Sequence, residues 1–225
     1  MIKLKKLKTL KRRIRQDDLF DLSVHTWTLV RQAIESKRMD EALDLMDYAL
    51  AEYKAVHDNL VSSVGSLQRH HFSSLGEDKI EEFLRERNFS RAKYLMSFPS
   101  VEELLYYLVE YQRGNFSDFN IKEEPDRYVV RLNTCGSGSM LMRAKNVSRT
   151  KKAHLWSWSK SGVPYYCLHC CIAWEIIPTE LRGYPLLIHL LPEKPDEPCV
   201  QLYYKKPELI PEEYFTRIGK TKTIK

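Results

Sequence analysis

All five cysteines of this 225-residue chain lie beyond residue 134. They stand as Cys135, then Cys167-Leu168-His169-Cys170-Cys171, then Cys199. On a helix, Cys167, Cys170 and Cys171 fall at i, i+3 and i+4 and share one face, with Trp174 a turn further on. His169 sits about 200° around the axis from Cys167. A Cys-x-x-Cys near a helix start favours thiolates, because the helix dipole lowers their pKa. Three readings are open. In the first, Zn or Fe takes thiolate and imidazole ligands from Cys167, Cys170, Cys171, Cys199, His169 and His154, with Cys135 in reserve. A zinc ribbon carries two Cys-x-x-Cys pairs, and this chain has one. In the second, Cys135 is a nucleophile. Gly136 and Gly138, with Ser137 and Ser139, let backbone N–H groups converge on an oxyanion. His154 or His169 is then the base, and Glu175, four residues after Cys171, is a reserve base. In the third, the cysteines are small buried residues of an apolar helix.

The stretch between the cysteine groups has little periodicity. It carries Arg143, Lys145, Arg149, Lys151 and Lys152, then His154, Trp156, Trp158, Gly162, Pro164 and Tyr166. Long nonperiodic loops in compact domains are often functional. One reading makes it a pocket wall: Arg131 and Arg143 pair with an acid group, and Trp156, Trp158 and Tyr166 supply apolar walls. The other makes it a basic surface loop whose tryptophans plug a seam. A Walker-type phosphate loop is excluded, since no Gly-x-x-x-x-Gly-Lys-Ser/Thr occurs.

The positioning elements follow from periodicity. From residue 17 to 113 the spacing is helical. Asp17 or Asp18 caps a first helix bearing Phe20, Val24, Trp27, Val30 and Ile34. A second opens at Met39-Asp40 and runs to about Phe72, with Gly65 as a candidate break. Its face is Leu43, Met46, Leu50, Tyr53, Val56, Leu60 and Val64. A third starts at Gly76-Glu77-Asp78, and a short fourth covers about Arg91 to Phe98. Ser100-Val101-Glu102-Glu103 is a capping-box pattern opening a fifth. After Gly114 the period changes. Strands are expected over Phe119–Lys122 and Arg127–Asn133 about a Pro125-Asp126 turn, then over Pro185–Leu191 and Cys199–Lys205. A helix runs from Pro164 through Ile177, ended or kinked by Pro178, and Gly183 closes the segment. The fold class is α+β: a helical bundle at 17–113, then a mixed half at 114–216 with an antiparallel sheet.

Charge is unevenly placed. The chain holds 36 Lys and Arg against 30 Asp and Glu, a formal +6. Residues 1–16 hold eight bases and no acid, and residues 217–225 hold four bases and no acid, so residues 17–216 carry −6. The basic start, with Ile2, Leu4, Leu7, Leu10 and Ile14, reads as a short amphipathic helix. It either packs on the body or a second subunit, or meets a membrane surface or nucleic acid. The first is favoured, and nucleic acid is the least favoured. No uncharged apolar run reaches 18 residues, so no membrane-spanning helix is expected. The basic start has no apolar stretch of a secretory signal, so a cytoplasmic location with reduced cysteines is expected.

The segment from Tyr165 to Lys206 resembles vinyl-reductase-type small-ligand-binding domains and the L-2-amino-thiazoline-4-carboxylate hydrolase family. The elements that carry the likeness are Cys167–Glu175, Gly183, Pro185–Leu191, Asp196-Glu197-Pro198-Cys199 and Val200–Tyr204. They cover about 40 residues, and the Cys-Leu-His-Cys-Cys cluster maps onto neither family. The resemblance implies a compact α+β pocket for a small molecule. The function expected is a hydrolase or lyase acting on a small anionic substrate through a cysteine/histidine centre, metal-bound or not. The alternative is a noncatalytic sensor that binds a metal or small ligand. A second copy of the chain is the other expected partner.

Overall fold

The computed structural model describes residues 3–8, 11–15, 22–144, 147–194 and 197–224. The chain divides into two compact units, Met1–Asn59 and Leu60–Lys225. No described helix is long and apolar enough to cross a membrane.

The first unit opens with an antiparallel hairpin, β1 (Leu4–Leu7) and β2 (Arg12–Arg15), which pairs Leu4 with Arg15. The amphipathic helix expected here is therefore corrected. A helix would stack Lys8, Lys11, Arg12 and Arg15 at i, i+3 and i+4, with like charges repelling and no acid to offset them. The hairpin takes those four out of a single stripe, although it sets Lys6 opposite Arg13. The hairpin is tied down by Arg15, which is buried and donates to the Val24 carbonyl (2.7 Å) and to Thr26 Oγ1 (3.1 Å). Thr26 in turn donates to Glu52 (2.7 Å). Two helices follow. Helix α1 spans Thr26–Glu35 and packs Leu29, Val30 and Ala33 against Ala42 and Leu45 of helix α2, Met39–Leu75. The expected caps Asp17 and Asp18, and Phe20, lie outside the described residues.

Helix α2 runs unbroken through Gly65. The glycine serves packing: a Cβ there would lie 3.0 Å from Leu141 Cδ1. The third and fourth expected helices are one, α3 (Ile80–Met96), entered through a tight turn at Glu77–Lys79. Asn88 keeps it continuous by donating back to the Leu84 carbonyl (2.7 Å). Helix α4 spans Val101–Gly114, and Ser100 caps it by accepting from Glu103 N–H.

The sheet is antiparallel throughout, in the order β3 (Asp118–Glu123), β4 (Arg127–Thr134), β6 (Cys199–Tyr204), β5 (Ile188–Leu190). Strand parity sorts its side chains, because successive residues point to opposite faces. Leu132 pairs with Cys199, and Val130 pairs with Gln201, which also pairs with His189. This face, with Tyr203, packs under α4 through Leu104, Leu105, Leu108 and Val109. The opposite face carries Ile188, Leu202 and Tyr204 onto Ile210 and Phe215.

The cysteine helix is composite, over 165–182. A tight turn (Tyr165–Cys167) leads into α-helix (Leu168–Cys170), then a wide π segment (Cys171–Ile176), then α-helix again (Ile177–Arg182). Of the two effects expected of Pro178, ending or kinking this helix, the first does not occur: the helix continues through it to Arg182. Pro178 has no N–H for the Trp174 carbonyl four residues back. That carbonyl accepts the Leu186 N–H instead (2.8 Å), and the π turn makes room for the ring. Gly183, in the left-handed region (φ 87°), closes the helix as its sequence position suggests. The basic end of the chain is integrated into the fold: Lys220 pairs with Glu180 (2.6 Å), and Lys222 donates to the Glu208 carbonyl (2.7 Å).

Candidate functional site

A cavity of about 130 Å³ opens within the second unit. The composite helix gives it Tyr166, Cys167, His169, Cys170 and Trp174. The loop after β4 and the short helix α5 (Gly138–Arg143) add Cys135, Ser137, Gly138 and Ser139. The sheet contributes Leu132, His189, Cys199, Gln201 and Tyr203, all on one face by parity. The long helices contribute Gln68, Arg87, Asn88 and Arg91. Four of the five cysteines and three of the four sequence-chosen residues after Cys135 therefore border one space.

Other expected residues lie elsewhere, for reasons the fold makes plain. Arg131 is exposed on the opposite face of β4, one residue out of phase with Leu132. Arg143 is exposed in the last turn of α5 and does not border the cavity. Gly136 is buried and donates its N–H to Ser117 Oγ (3.1 Å), so that group is not offered to an anion. Cys171 faces away from the cavity and into the core, 3.8 Å from the Leu155 carbonyl. Trp156 and Trp158 are core residues, packed with Ile172, Ile176 and Ile218. His154 is stacked on Trp156 (4.1 Å between centroids) and bonded to Glu77 (3.1 Å). Against the desolvation that burial imposes, the Lys151 N–H, His154 and the Tyr165 hydroxyl hold the Glu77 carboxyl below its usual range. The described stretch 147–165 is thus a tethered structural loop.

Glu175 is not a poised base. It is fully buried and accepts from Trp158 Nε1 (2.8 Å), His189 N–H (2.8 Å) and Arg217 Nη2 (2.8 and 2.9 Å). Desolvation raises its pKa, with Arg217 and the two N–H donors opposing. All four of its hydrogen bonds are structural.

The thiols depart most from expectation. The helix start was expected to lower their pKa. Instead desolvation raises Cys167 to about 12 and moves Cys170, Cys171 and Cys199 well above the ordinary thiol value. Burial at the start of the composite helix outweighs whatever its dipole contributes. No three His, Cys, Asp or Glu side chains among the described residues converge on a metal position. The expected Zn or Fe ligand set of Cys167, Cys170, Cys171, Cys199, His154 and His169 is therefore not assembled.

The imidazoles are neutral. His169 Nδ1 lies 2.5 Å from the Tyr166 carbonyl, so Nδ1 carries the proton and Nε2 is the acceptor, 3.5 Å from Cys170 Sγ. Desolvation, with Arg91 and Arg87 nearby, lowers its pKa to about 4 against the Tyr166 hydrogen bond. Tyr203 donates its hydroxyl to Gln201 Oε1 (2.8 Å), leaving Gln201 Nε2 to donate to His189 Nε2 (3.2 Å). His189 is therefore protonated at Nδ1, and desolvation lowers its pKa to about 3. Both values lie below the unfolded 6.5, so the unfolded chain binds more protons, and this stability is present above pH 6.5 and lost as pH falls. Near pH 5 the two histidines should make stability drop by roughly 2–3 kcal/mol per pH unit. Urea titrations across pH 5–7 should show that slope roughly halved in His189→Gln; an unchanged slope would contradict the assignment.

Two arginines escaped the sequence reading. Arg87 and Arg91, one helical turn apart on α3, border the cavity. Arg91 lies over the Tyr111 ring (4.8 Å) and the Trp174 ring (5.3 Å). Neither forms an ion pair among the described residues, and no Asp or Glu borders the cavity. One buried polar atom of a lining residue, Gln68 Oε1, has no hydrogen-bond partner; His189 Nδ1 also makes none but faces the Glu175 carboxylate at 4.0 Å. No family model, curated protein or solved structure matches the chain.

Proposed function

We propose that the second unit binds a small organic anion in this cavity. The observation that carries the reading is the lining itself: two arginines, no carboxylate, and the buried Gln68 Oε1 left without a partner. Native interiors rarely leave such atoms unsatisfied. Arg87 and Arg91 take the acid group as charge-assisted donors. Gln68 Oε1 accepts from the ligand. The side chains of Cys135, Cys167 and Cys170 and the Tyr166 ring meet its apolar body. An apolar cavity of about 150 Å³ takes benzene, and this one is about 130 Å³, so the body is on the scale of one ring.

Thiol chemistry on the bound anion is a second reading. One contact favours it: Nε2 of His169 beside Cys170 Sγ, with Nδ1 fixed by the Tyr166 carbonyl. That is the order nucleophile, base, orienter. The uncharged state of both groups favours binding over attack.

Thermal melts with acetate, butyrate, hexanoate and benzoate test the binding reading. Stabilisation should grow with apolar size until the cavity is filled. At about 100-fold over the dissociation constant, the rise should be roughly 5–10 °C. In Arg87→Gln/Arg91→Gln it should nearly vanish. The same rise in the double variant, or no rise with any acid, would overturn the reading.

A further inference from the structure

Strand β3 is an outer edge of the sheet, hydrogen-bonded to β4 alone within it. Every second residue of such an antiparallel edge turns its N–H and C=O groups outward. The strand has no proline, its one lysine, Lys122, is drawn to Glu124 (3.1 Å), and its one irregularity lies at the first step, between Asp118 and Phe119. Helix α4 runs antiparallel to β3. At one end, Tyr128 pairs with Glu123 of β3 and donates its hydroxyl to Glu102 of α4 (3.1 Å). At the other, residues 115–117 join Gly114 of α4 to Asp118 of β3. The stretch from Glu103 to Arg113 is about 15 Å long and β3 about 17 Å, so the two elements lie side by side over one length. An open groove between them is lined by Tyr106, Tyr107, Glu110, Arg113 and Ile121, all within the second unit. Tyr106 is 70% exposed and Ile121 45%. Glu103, Tyr106, Glu110 and Arg113 stand at i, i+3, i+7 and i+10, an exposed stripe along α4. None of the four side chains has a hydrogen bond or ion pair among the described residues.

We infer that this surface joins two copies of the chain, α4 against α4 and β3 against β3, about one two-fold axis. The order of charges along the stripe selects both the partner and its direction. Midway between Tyr106 and Glu110 the stripe is its own complement when the second helix runs antiparallel. Glu103 then faces the second copy's Arg113, and the Tyr106 hydroxyl faces the second copy's Glu110. Each contact occurs twice, as a two-fold interface requires. A parallel alignment would instead set Glu103, Glu110 and Arg113 each against its own like charge. The same axis crosses the middle of β3, because α4 and β3 share one length. The two β3 edges therefore meet antiparallel, and their outward N–H and C=O groups pair across the join. Ile121 lies on the same face as Phe119, which packs on the core beneath α4. The second copy covers it.

Sedimentation velocity of the full chain at about 10–100 µM should give twice the 26.6 kDa chain mass. Glu103→Arg alone, or Arg113→Glu alone, sets like charges face to face at both ends of the helix pair. Either should raise the dissociation constant at least about tenfold. Both residues are exposed, so the far-ultraviolet helix signal should stay. Glu103→Arg combined with Arg113→Glu brings opposite charges together again and should return the constant to within about threefold of wild type. The two positions are about 15 Å apart on one helix, beyond each other's reach, so rescue reports a contact between copies. A monomeric wild type, a dimer that both single reversals leave unchanged, or a double reversal as weak as the singles would overturn the inference. Amide hydrogen exchange reads the strand pairing. In wild type, exchange over residues 118–123 should be slower at about 100 µM than at about 1 µM, and Glu103→Arg should shrink that difference. Equal rates in wild type at the two concentrations would contradict the joined sheet.

Discussion

Glu175→Ala is expected to cost about 3–5 kcal/mol of folding stability, the range for removing one partner of a buried charge pair. The variant strands four donor contacts at once: Trp158 Nε1, His189 N–H and two from Arg217 Nη2. Arg217 loses its counter-ion and keeps one side-chain hydrogen bond, to the His189 carbonyl (3.0 Å), beside its place over the Tyr214 ring (4.8 Å). Trp158 also loses the anchor that holds its backbone in the left-handed region (φ 55°), a strained position for a residue with a Cβ. Glu175→Gln keeps the shape and a carbonyl acceptor, so it should cost less than the alanine variant. Urea unfolding followed by tryptophan fluorescence measures both. A loss under about 1 kcal/mol for Glu175→Ala would mean that the carboxylate is not the hub of this network.

Gly136→Ala carries the second large effect. A Cβ at Gly136 would lie 1.5 Å from the Asn115 carbonyl oxygen, which is backbone and cannot turn aside. The chain after β4 must then shift away from the end of α4, breaking the Gly136 N–H to Ser117 bond and moving Cys135 and Ser137 at the cavity rim. Overpacking of this severity costs about 3 kcal/mol or more. Gly138→Ala is milder, because its Cβ would meet the Cys167 thiol at 2.7 Å and not backbone. Denaturant midpoints should therefore rank wild type, Gly138→Ala, Gly136→Ala in falling order. The reverse order of the two variants would show that the close approach of Asn115 does not dictate the glycine.

These two residues also show where sequence reasoning holds and where it stops. Gly136 reads as special from its Gly-Ser-Gly-Ser setting, but sequence supplies only the permission for close approach and not the object approached. That object is a carbonyl 21 residues earlier. Glu175 reads as a helix carboxylate near a cysteine, and its partners Trp158, His189 and Arg217 come from three distant segments. Local signals were legible: the Ser100 cap, the Pro125-Asp126 turn, the alternation in β4 and β6, and Gly183 as a helix end. Parity was legible too, and applying it to β4 would have turned Arg131 away from a site shared with Leu132. The basic start misled because apolar spacing was weighed without the like-charge repulsion of its lysines and arginines. Pro178 does not end its helix because the Leu186 N–H that takes over the Trp174 carbonyl is eight residues past the proline, across the Gly183 turn. Arg91 reads only as the start of a short helix and Arg87 carries no local signal. Their spacing of four is visible in the sequence, and that no acid lines the cavity beside them becomes apparent only once four elements meet.

The central claim is that the cavity recognises a negative charge on a ring-sized body. Calorimetric titration of the wild-type chain with benzoate and with benzamide tests it most directly, since the two differ in charge and scarcely in shape. The account predicts that benzoate binds at least about tenfold tighter, the effect of one charge-assisted contact of roughly 1.5 kcal/mol or more, and that Arg91→Gln abolishes the preference. Equal affinities, or benzoate binding that is indifferent to Arg91, would contradict it.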